Sequence, residues 1–129
     1  MCIRDRASLL TSGQVLITGG YSGMENPDTL ASAELYSPAT EQFSTTSNMT
    51  DYRAGHTATT LSDGQVMIAG GNDSIGGLLA SAELYDPITS TFTATRGMTT
   101  RRSGHSAVTL RDGSILIVDG GDGPPEIFQ

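Results

Sequence analysis

The chain has 129 residues, a single cysteine and no lysine, and its 14 acidic side chains outnumber 7 arginines for a formal net charge of −7. The length is that of one ordinary domain, and the charge disfavours phosphate backbones and anionic lipid, so neither nucleic acid nor membrane is expected as a partner. A lone Cys2 excludes an intrachain disulfide or a cysteine metal site, no apolar run approaches a membrane span, and residues 1–6 lack the apolar core of a secretion signal.

Residues 1–6 are an out-of-pattern extension with no expected fold role. From Ala7 onward the chain repeats. Gly13–Gly20 (GQVLITGG), Gly64–Gly71 (GQVMIAGG) and Gly113–Gly120 (GSILIVDG) are near-copies, and their first glycines are 51 and 49 residues apart. A period of that size means a repeated unit of several strands. In the first unit, Ala7–Leu10 is a strand, Thr11–Gly13 a hairpin turn and Val15–Thr18 a second strand. Its consecutive apolar residues predict cover on both faces. Tyr21–Leu30 reads as a surface loop, Ala31–Tyr36 as a third strand, Ser37–Thr40 as a turn preset by Pro38, and Gln42–Thr46 as a half-exposed outer strand carrying Phe43. The second unit repeats this almost residue for residue, with Arg53 matched by Arg102, His56 by His105 and Phe43 by Phe92. Glu34 and Tyr36 recur as Glu83 and Tyr85. The two extra residues of the first spacing fall in the loop after the glycine pair, which marks that loop as the adaptable part. The third unit stops at Glu126–Gln129, with no fourth strand.

Arg102-Ser103-Gly104-His105, Asp112-Gly113, Gly70-Gly71, Tyr85-Asp86-Pro87 and Phe92 stand in the order of the Kelch repeat, which the chain resembles from Ala7 to Gln129. The resemblance implies an all-β fold: a partial β-propeller of the Kelch/galactose-oxidase type, with four-stranded antiparallel blades in an open arc. The blades would span residues 7–50, 51–99 and, incomplete, 100–129. Two departures stand out. Phe43 and Phe92 replace the family's usual Trp, and Asp119 replaces the first glycine of the third pair, where the strand end is expected to be remodelled.

The candidate chemistry is thin. His56 and His105, the only histidines, fall on one repeat position, which structure explains before catalysis does. A propeller copper oxidase needs a cysteine-modified tyrosine and histidines gathered on the axis, whereas Cys2 is outside the pattern. Glu34 and Glu83 are expected to pair with arginines such as Arg53 and Arg102, because a buried carboxylate is costly alone. Gly19, Gly20, Gly70, Gly71, Gly120, Tyr36 and Tyr85 are expected as frame positions. The loop residues Tyr21, Asn26, Asn72, Asp73 and Asp122 are the candidate binding positions. Asp119–Gly123 and Asn72–Ser74 offer oxygen ligands for weak calcium binding but lack the regular ligand spacing of a calcium loop, and Asn48 and Asn72 head glycosylation acceptor patterns. No cofactor, metal or catalytic residue is assigned.

The expected function is therefore a non-enzymatic scaffold whose loops hold a protein or carbohydrate partner, outside the cell or at its surface. The alternatives are a piece of a propeller oxidase or hydrolase whose catalytic residues lie elsewhere, or a structural spacer. Val15–Ile17 and Ile115–Val118 are expected to face water unless further blades, or other copies of the chain, cover them.

Overall fold

The computed structural model describes residues 4–23 and 28–129; Cys2 and Asn26 lie outside them. Eleven strands and no helix are present among the described residues. The first sheet holds β1 (Arg6–Leu9), β2 (Val15–Thr18), β3 (Ala33–Ser37) and β4 (Gln42–Thr45). The second holds β5 (Thr57–Thr60), β6 (Val66–Ala69), β7 (Ala82–Asp86) and β8 (Thr91–Thr95), and the third β9 (Ser106–Thr109), β10 (Ile115–Val118) and β11 (Glu126–Phe128). Each sheet is an antiparallel meander in chain order, the architecture of consecutive propeller blades in an open arc. Register repeats with the sequence: Val15 pairs Tyr36 and Tyr36 pairs Phe43 in the first sheet, as Val66 pairs Tyr85 and Tyr85 pairs Phe92 in the second.

Two apolar layers hold the sheets together. Leu10, Leu16, Ala33 and Met49 of the first unit pack on Val66, Ile68 and Tyr85 of the second. Met67, Ala69, Ala82 and Met98 of the second pack in the same way on Ile115, Ile117 and Phe128 of the third. The residues that alternate along a strand point to opposite faces, so each unit offers one face forward and the other back. Only the middle sheet uses both: β6 is buried at all four positions. The expectation that β2 is covered on both faces fails, since its burial alternates, because only the second sheet lies against it among the described residues. For the same reason Ile115 and Ile117 are buried while Leu116 and Val118 are half-buried, so that stretch opens on one face only.

The extension before Ala7 also needs correction. Arg6 opens β1 opposite Thr18. Arg4 donates to Ser32 Oγ at 2.7 Å and lies 3.2 Å from Glu34. Asp5 accepts from the backbone N–H of Gly55. The repeat pattern missed these residues because Arg4 takes an arginine's role two positions out of register.

Candidate functional site

The repeat positions build one end of the strands, the rim where β2, β6 and β10 finish. Each glycine pair turns the chain there in the left-handed region, with φ of 60° and 105° at Gly19 and Gly20 and of 67° and 99° at Gly70 and Gly71. A side chain on Gly70 would meet the Arg102 carbonyl at 2.6 Å and the His105 ring at 2.7 Å, so the pair is also where the next unit's lead-in crosses. Asp119 adopts a φ of 62° and its carbonyl accepts from Arg102 as Gly70's does from Arg53, while Gly120 follows at 73°. The expected remodelling at Asp119 does not reach the backbone, because a short polar residue tolerates this region.

Under the rim lies the charged layer. Arg53 is wholly buried and donates from Nε to Glu83 at 2.9 Å, from Nη1 to the carbonyls of Gly70 and Ser81, and from Nη2 to Ser81 Oγ and Asp51. Glu83 also accepts from the N–H and hydroxyl of Thr50, so its lone pairs are satisfied. The third unit holds a poorer copy. Thr100 and Pro124 stand in the places of Asp51 and Ser81, Arg102 lies 3.4 Å from Glu126, and its buried Nε has no hydrogen-bond partner. Burial pulls Glu126 upward, but its bonds from Thr99 and Thr100 and the charge of Arg102 outweigh it and hold the carboxyl below its usual range.

Both histidines tie neighbouring sheets. Nε2 of His56 is hydrogen-bonded to Thr18 at 2.8 Å, and Nε2 of His105 to Thr57 at 2.9 Å. Burial, reinforced by Arg102, pushes His105 down to about 4; burial also lowers His56, against the opposing pull of Asp5, whose carboxylate lies 3.4 Å from Nδ1. Neutral, buried and spent on threonine, these rings are ties between units. Tyr36 and Tyr85 pack in tilted contact with Phe43 and Phe92, ring centroids 4.9 and 4.8 Å apart, and the Tyr85 hydroxyl is 3.1 Å from Thr46 of the preceding unit.

The loop candidates separate on inspection. Asn72 exchanges both of its backbone hydrogen bonds with Ala54, binding the loop after β6 to the segment before β5, and lies opposite Leu78 across its own loop. Asp73 turns inward, accepting from the N–H groups of Ile75 and Gly77 at 3.0 and 2.7 Å. Tyr21 bridges to Thr29, whereas Asp122 is exposed. Sequence reasoning passed over the apolar side chains of the same rim: Ile75 is 91% exposed, Tyr52 55% and Leu78 42%. An isoleucine inside the polar stretch Asn72–Gly77 was the signal. Among the described residues, no group of three or more His, Cys, Asp or Glu side chains is placed to hold a metal.

Residues 53–99 match the family model of the Kelch motif. Among solved structures the chain is similar to a "novel fungal alcohol oxidase with catalytic diversity among the AA5 family, in complex with copper", with a TM-score of 0.74 and 24% identity over 84% of this chain. The chain spans only 25% of that oxidase, and the likeness is one of fold. No curated protein matches. The described residues do not fit a copper site, since both imidazoles are buried and bonded to threonines of the frame.

Proposed function

We propose, from the premise that the chain carries a Kelch motif and folds as consecutive blades of a Kelch-type propeller, that it is a non-enzymatic scaffold binding a protein or carbohydrate at the rim of its glycine pairs. The observation that carries this reading is the contrast at that rim. The ionisable side chains of the repeat are buried in the frame, Arg53 paired with Glu83 and His56 and His105 each tied through Nε2 to a threonine, while Tyr52, Ile75 and Leu78 stand out into water. Aromatic and aliphatic side chains on loops held by a rigid frame suit binding without chemistry. The oxidase likeness favours a second reading, in which these blades support a catalytic centre built from other parts of a longer protein.

Arrays of peptides and glycans probed with wild type, Ile75→Asp and Ile88→Asp test the proposal. Ile88 is 94% exposed at the opposite ends of the strands and serves as the control. Ligands whose signal falls at least tenfold with Ile75→Asp and holds with Ile88→Asp are expected. Equal effects of the two variants would remove the rim from consideration, and copper-dependent turnover of an alcohol by a longer protein that includes this chain would favour the enzyme.

A further inference from the structure

We infer that the two open sheet faces of this chain are complementary and that a second copy docks head to tail, the third sheet of one copy onto the first sheet of the other. The pattern is present twice inside the chain. The forward faces carry Leu10, Leu16 and Leu35 in the first unit and Leu61, Met67 and Leu84 in the second. The backward faces that receive them carry Ala58, Val66, Ile68, Tyr85 and Phe92, then Ala107, Ile115, Ile117 and Phe128.

The unpaired faces carry the same sets. On the third sheet, Leu116 lies between Val108 and Ile127 in the register, at the positions of Leu16 and Met67. Val108 is 56% and Ile127 53% exposed, with Leu110, Leu116 and Val118 half-buried around them. On the first sheet, Val15, Ile17, Tyr36 and Phe43 occupy the positions of Val66, Ile68, Tyr85 and Phe92. Tyr85 is wholly buried by the preceding unit and Tyr36 is not, and Phe43 is 63% exposed where Phe92 is partly covered. The exposure measures what is missing: a sheet presenting three leucine-like residues forward. Sheet three of another copy is such a surface.

The contact is heterologous, and two copies would contribute six sheets, within the roughly four to eight blades of closed propellers. One residue resists it. At Gly19 and Gly70 the next unit's backbone passes where a Cβ would be, and Asp119 carries a side chain there. Asp119→Gly should therefore tighten the junction.

Sedimentation of the full chain over a concentration series tests this with two variants, Val108→Asp on the forward face and Phe43→Asp on the backward face. Both side chains are more than half exposed, and circular dichroism checks that each variant remains folded. Wild type should form dimers, each variant alone should shift the midpoint to at least tenfold higher concentration, and an equimolar mixture should recover association through its one intact junction. Asp119→Gly should lower the wild-type midpoint. A wild type that stays monomeric, or a mixture no better than either variant alone, would overturn the inference.

Discussion

Single residues in this fold matter in proportion to what crosses them. Gly70 combines a left-handed φ with the backbone of Arg102 and the ring of His105 against its missing side chain. Gly70→Val should cost roughly 3 kcal/mol or more in denaturant melts. Thr91→Val, on an exposed position of β8, should stay within about 0.5 kcal/mol; equal losses would show that the glycine is unconstrained. Glu83 is the second such point. Glu83→Gln leaves Arg53 buried with only the partly exposed Asp51 as counter-charge, and about 3 kcal/mol is expected. Glu34→Gln breaks a pair that is 27% and 32% exposed, and under about 1 kcal/mol is expected from the same melts.

At the level of elements, the junctions between sheets are pH-sensitive through their histidines. The folded state holds His105 at about 4 against an ordinary value of 6.5, and His56 is shifted the same way. The unfolded chain therefore binds more protons between those values, so this stabilisation is complete above pH 6.5 and is lost as pH falls toward 4. Asp5 and Glu126 are shifted downward, so their contribution is present above their ordinary values of 3.8 and 4.5 and fades as pH falls through them, which keeps melts between pH 7 and 4.5 weighted toward the histidines. Thermal melts from pH 7 to 4.5 should fall steadily for wild type. His105→Gln should start lower, having changed the tie to Thr57, but decline less steeply. Parallel slopes would mean that His105 does not titrate with unfolding.

For the molecule as a whole, stability should be graded along the arc, because each sheet contacts only its neighbours. β6 is covered on both faces, whereas β2 and β10 are covered on one. Amide exchange should be slowest in β6, intermediate in β2 and β10, and fastest in β4, whose four residues are all exposed. Uniform protection across the three sheets would instead indicate a single cooperative unit.

The repeat made the frame legible. Three copies of one glycine-bounded strand, with Tyr85 and Phe92 matching Tyr36 and Phe43, were enough to place the strands of each sheet, because period-two alternation and turn glycines are local properties of the chain. The Arg–Glu pairing was legible for the same reason, since a carboxylate on a buried strand needs a counter-charge. Tertiary structure alone decided which faces are open, because β2, β6 and β10 read alike and differ only in their neighbours. It also decided that Arg4 stands in for an arginine out of register, that the Asn72 backbone is tied to Ala54 and that the Asp73 carboxylate holds its own loop, while Tyr52 and Ile75 stand free. A residue's type sets what it can bond; only the packing of distant segments determines whether that capacity is already used.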